Sequence, residues 1–107
     1  MIEHLVLIRW QPGIERHQIN DVLAQARKMS GIDGVLDVSI LRNLEKARPE
    51  QGKGINDILR ITIADEEALA GFGPAPLHRE FAKSMLPIAD DITIVDIPID
   101  PAGSISS

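Results

Sequence analysis

The chain has 107 residues, 44% of them hydrophobic, a formal net charge of −5 and no cysteine. Its length predicts a single domain, the lack of cysteine excludes disulfides and thiolate zinc sites and suits a reducing cytoplasm, and its acidity argues against nucleic acid, which is held largely by clustered basic side chains. No apolar run approaches the roughly 18 residues of a membrane span, and no basic segment precedes the first apolar run as a secretory signal would require.

The predicted elements follow in chain order. Residues 2–10, IEHLVLIRW, form a short aliphatic strand stopped by Gln11-Pro12-Gly13. Residues 15–29 form a helix, because Ile19, Val22, Leu23, Ala26 and Met29 recur at three- and four-residue steps. Gly31 is its expected stop. Residues 35–42 form a second strand, in which Leu36, Val38 and Ile40 alternate with Asp37 and Ser39. A polar loop with Pro49, Gly52 and Gly54 covers 43–54, and a third strand covers 55–63. Asp65 is a helix N-cap, with Glu66 and Glu67 suited to the positive end of the helix dipole. A short helix runs to about Ala70, Gly71 to Pro76 break it, and a second piece covers 77–86. The last strand spans 91–99, and the tail over 100–107 is small, polar and expected to be flexible. Residues 1–99 are thus read as the domain.

This order is strand, helix, strand, strand, broken helix, strand. It predicts an α+β, ferredoxin-like βαββαβ domain: a four-stranded antiparallel sheet with its helices on one face. Helices cover one face only, yet both carry apolar side chains. The first strand sets Ile2, His4, Val6, Ile8 and Trp10 on one side and Leu5 and Leu7 on the other. A bare second face would be a large exposed patch, so a homodimer packed sheet to sheet is expected.

The candidate chemistry rests on two histidines, since imidazole exchanges protons near neutral pH. His4 shares a strand face with Val6 and Ile8. It is either a buried, hydrogen-bonded core group or part of a pocket wall. His78 opens the helical piece after Pro76. It is either a solvent-facing first-turn residue or a general base, kept neutral by the helix dipole. Asp57 lies on the apolar face with Leu59 and Ile61, where a carboxylate needs a partner. It either sits in water at the strand mouth or orients His78. His4 and Asp57 fall near opposite ends of their strand pairing and are not expected to touch. His17, beside Glu15 and Arg16, reads as solvated. Arg60, on the opposite face and so toward the dimer interior, is expected to pair with Asp37 or Asp96 of either chain. The histidine spacing supports no metal site, and no cofactor is expected.

The stretches IEHLVLIRW, GVLDVSILRN, GINDILRITI and DEEAL…PLHREF…LP…DDITIVDI, in this order and spacing, resemble the stress-responsive dimeric A/B barrel family over about residues 2–98. The resemblance implies two ferredoxin-like protomers packed into a barrel, each with a possible pocket between sheet and helices. The family includes plant stress proteins and a polyketide cyclase that works by aldol chemistry through a histidine and a tyrosine. Its catalytic histidine matches His78, its early-strand histidine matches His4, and a further pocket histidine matches Asp57. Its tyrosine matches Phe72, which has no hydroxyl.

Two readings follow. In the first, an apolar helix-side pocket lined by Val6, Ile8, Val38, Leu59 and Phe72 holds a small carbonyl, aromatic or ketide-like compound. His78, Asp57 and His4 then supply cofactor-free acid–base catalysis as a cyclase, isomerase or lyase. In the second, the protein is a non-catalytic stress-responsive assembly or small-ligand binder. Phe72 and His78 are expected to border one cavity, with Asp57 at its polar edge.

Overall fold

The computed structural model describes residues 1–44 and 50–100. The loop expected over 43–54 lies partly, and the tail expected over 100–107 almost wholly, outside the described residues. Strand β1 spans Ile2–Trp10, helix α1 Arg16–Lys28, β2 Val35–Arg42, β3 Asp57–Ile63, α2 Glu66–Phe72, α3 Pro76–Met85 and β4 Ala89–Pro98. The expected order and fold class hold. Boundaries move slightly: α1 tightens into a 3₁₀ turn over Met29–Gly31, and β3 starts two residues later than its apolar run suggests.

Local chemistry sets these ends. Asp65 accepts the Ala68 N–H at 2.8 Å and caps α2. The Gln18 side chain accepts the Glu15 N–H at 3.1 Å at the start of α1. Pro76 opens α3, where its missing N–H costs nothing. Gly34 turns the chain into β2 at φ +86°, and a Cβ there would stand 2.4 Å from Ala68 Cβ. Only glycine meets both demands.

The sheet order is β2-β3-β1-β4, with every neighbouring pair antiparallel. Side chains alternate cleanly along β1 and β3. Val6, Ile8, Leu59, Ile61 and Ile63 form the helix-side core with Ile19, Val22, Leu23 and Ala26 of α1 and Phe81 and Met85 of α3. The opposite face carries Leu5, Leu7, Leu41, Ile58, Val95 and Ile97, with Glu3, Arg60 and Thr62 among them. Among the described residues no helix covers that face, and Leu41 and Val95 are openly exposed on it. Thr62 donates there to Glu3 at 3.1 Å. The expected Arg60–Asp96 pairing fails within the chain, because Asp96 is opposite His4 and therefore on the helix side.

Candidate active site

The His4 side chain leaves β1 on the helix side and is buried. Its partner across the β1–β4 ladder is Asp96, and Nδ1 lies 2.5 Å from Asp96 Oδ1. A carboxylate only accepts, so Nδ1 carries the proton and the neutral ring keeps its lone pair on Nε2. Asp96 sits at the border of the core, its side chain 41% exposed.

Phe72 ends α2 and stands between the two histidines. Its ring centroid is 5.2 Å from that of His4, edge-on, and 4.8 Å from that of His78. The break between α2 and α3 produces this geometry. Residues 73–75 form a turn between the helices, the Ala75 N–H closes onto the Phe72 carbonyl at 3.2 Å, and α3 sets out with His78 in its first turn. His78 Nδ1 lies 3.0 Å from the Gly73 carbonyl oxygen, so the neutral His78 also keeps its lone pair on Nε2. Burial pushes the His78 pKa below the ordinary imidazole value; the Gly73 carbonyl partly opposes this, and a positive charge on His4 would lower it further. The neutral form of His78 is therefore favoured, and the residue is partly exposed. His4 is buried and hydrogen-bonded, as the sequence reading expected. The expected shared cavity is replaced by direct contact: the Phe72 and His78 rings touch, Phe72 belongs to the closed core, and neither residue lines the concavities described below.

Asp57 is elsewhere, and this corrects the expectation that it lies at a polar edge beside His78 and Phe72. It pairs with Ile8, whereas His4 pairs with Ile61. Four residues of strand, about 13 Å, separate the two positions. Asp57 is 1% exposed rather than bathed in water. It accepts from Trp10 Nε1 at 2.8 Å, with Arg16 Nη1 at 3.9 Å and Arg42 Nε at 3.8 Å. Sharing a face says nothing of distance along the strand, which is why pattern alone misplaced it. His4 and Asp57 do lie apart, as expected from their pairing.

The proposed pocket wall also needs correction. Val6, Ile8 and Leu59 are closed core, and Val38 packs against that core partly buried. Concavities open at its rims instead. One of about 380 Å³, lined by Ile2, Glu66, Leu69, Ala70, Asp96 and Pro98, adjoins the His4–Asp96 pair. Another of about 720 Å³ lies by Trp10 and Asp57. His17 is exposed and pairs with Glu15 at 3.1 Å. Among the described residues no group of three His, Asp or Glu could hold a metal, and no helix is long and apolar enough to cross a membrane.

The sequence reading offered Asp96 only as a partner for Arg60 and missed it as the partner of His4. The alternation of Asp96 with Ile92 and Ile94 gives its face, but only the β1–β4 register sets it opposite His4.

With this geometry in hand, the comparisons are decisive for the family. The model of the stress responsive A/B barrel domain matches residues 2–99. The chain belongs to that family. Solved structures share the fold. A dimeric ferredoxin-like protein of unknown function from Thermobifida fusca is 18% identical, with 92% of this chain and 90% of that one covered and a TM-score of 0.79. A hydroxynitrile lyase from Passiflora edulis is 20% identical, with 94% of each chain covered and a TM-score of 0.82. A Dabb family protein with a ferredoxin-like fold from Mesorhizobium loti is 22% identical, with 92% and 97% covered and a TM-score of 0.75. A search of the curated proteins found no match. The A/B barrel fold of this chain is therefore shared both with proteins of unknown function and with an enzyme.

Proposed function

We propose that this A/B barrel protein is a homodimeric, cofactor-free acid–base enzyme of the cytoplasm acting on a small carbonyl or carbonyl-forming compound. The observation that carries this reading is the pair of imidazoles flanking Phe72, one fixed by Asp96 and the other by the Gly73 carbonyl. His78 takes a proton at Nε2, from a carbon beside a carbonyl or from a hydroxyl, and returns it after bond rearrangement. His4, held through Nδ1, is the second proton carrier. Cyclisation, isomerisation and carbon–carbon cleavage all fit such a pair. The likeness to a hydroxynitrile lyase favours cleavage, and the cysteine-free composition favours a reducing compartment. The uncovered apolar sheet face and the dimeric relative from T. fusca support the dimer.

The test is turnover of a panel of cyanohydrins, β-diketones and small lactones by the wild type and by His78→Ala. Turnover of at least one compound, lowered about 10²–10⁴-fold in the variant, is expected. Equal rates in the two proteins would overturn the assignment. The second reading is a non-catalytic small-ligand-binding assembly, and Phe72 favours it: the ring between the imidazoles has no hydroxyl to share their protons. Failure of the whole panel would select that reading.

A further inference from the structure

At the other end of the sheet from His4, α1 and β2 enclose an arginine-rich groove that the acid–base reading does not use. A concavity of about 500 Å³ is lined by Arg16, Arg27 and Arg42, with Asn20 beside them. It shares Arg16, Arg42 and Asp57 with the concavity of about 720 Å³ at Trp10. Among the described residues Asp57 is the only acid lining the two, and it is buried beneath them. There one carboxylate faces three guanidiniums among the described residues, an excess of positive charge on a chain whose net charge is −5.

The arginines are placed to receive something further. Arg16 and Arg42 reach Asp57 only at 3.9 and 3.8 Å, beyond hydrogen-bond length, with their side chains 50% and 65% exposed. Among the described residues no other acid pairs with them, so their planar donor forks can serve a second oxyanion. Arg16 is the first residue of α1, where the helix dipole disfavours a cation. An anion resting there would relieve that repulsion. The adjoining concavity adds the apolar side chains of Ile14, Ile19 and Leu44 next to the Trp10 ring.

We infer that this groove binds a small organic oxyanion, its charged head held by Arg16, Arg42 and Arg27 and its apolar body against Ile14, Ile19 and Trp10. Carboxylates and phosphate esters share the required chemistry. The site is independent of His78, so its failure would leave the proposed catalysis untouched.

Trp10 is the only tryptophan of the chain and reports on the site directly. Its emission is followed during titration with octanoate, octyl phosphate and the neutral octanol. Saturable changes with either or both anions and none with octanol are expected, and the tighter anion identifies the head group. Arg16→Gln/Arg42→Gln should weaken the tighter anion about tenfold or more, as expected for loss of charge-assisted hydrogen bonds. Arg27→Gln, outside the Asp57 pairing, gives a second measure that leaves the buried carboxylate paired, and should weaken binding several-fold. Arg79→Gln, on the exposed side of α3, should not. Octanol binding as well as the anions, no saturable response to either anion, or full affinity in the Arg27 variant would each overturn the inference.

Discussion

His4 and Asp96 face each other across the β1–β4 ladder, joined by a hydrogen bond from Nδ1 to Oδ1. The pair fixes which nitrogen of a buried imidazole is free, and it ties the edge strand to the floor of the candidate site. Asp96→Asn keeps the shape but can turn an N–H toward His4 and reverse the tautomer. Turnover should fall by about tenfold or more, with a smaller change in KM. Stability to urea should fall by no more than about 1 kcal/mol, because Asp96 is half in solvent. Equal turnover in the variant would show that His4 is a structural group only.

His78 sets the pH dependence. Its pKa is lowered, first by burial, so the neutral form is favoured in the folded protein. The unfolded chain binds the proton more readily, so this contribution to stability is full above the ordinary value of 6.5 and is lost as pH falls through the lower folded value. The kcat/KM profile of an active protein should therefore drop on the acid side at an apparent pKa below 6.5. His78→Gln should abolish that limb, and His17→Ala should leave it in place. An acid limb above 6.5 would contradict the geometry.

Asp57 carries weight in folding whatever the groove above it binds. Its carboxylate satisfies the indole N–H of Trp10 and lies under two arginines. Asp57→Ala strands that buried N–H, so about 1–3 kcal/mol of stability should be lost. Asp57→Asn keeps an acceptor for the indole and should lose less. Chemical denaturation of both variants decides this, and equal losses would mean that the charge, not the hydrogen bond, is what matters.

The fold was legible because each strand repeats its pattern over several residues. β1 alternates through nine positions, and α1 repeats Ile19, Val22, Leu23 and Ala26 on one face. The broken helix was legible from Gly73, Pro74 and Pro76, and it brings Phe72 against His78. Site assembly was less so. Whether His4 meets Asp57 or Asp96 depends on register, and register follows from turns and from packing between strands distant in sequence. Arg16 read as a helix-surface residue beside His17, and only the fold carries it over Asp57. The pocket wall failed for a related reason: alternation gives the buried face but not whether its side chains leave a gap.

The apolar face opposite the helices makes the final prediction. Leu7 lies at its centre, between Ile58 of β3 and Thr93 of β4, with Leu5 and Val95 one step away on the same face. The helix-side core does not use these residues. Leu7→Asp should therefore leave the protomer folded while placing a charge where two sheets would meet. In a dimer the change occurs twice, once on each protomer, and a desolvated charge at the centre of an interface costs several kcal/mol. The dissociation constant should rise about 100-fold or more. Light scattering at low micromolar concentration should give twice 11.7 kDa for the wild type and 11.7 kDa for a variant with unchanged far-UV circular dichroism. A folded wild-type monomer would remove the dimer, and a variant that stays dimeric would move the interface off this face.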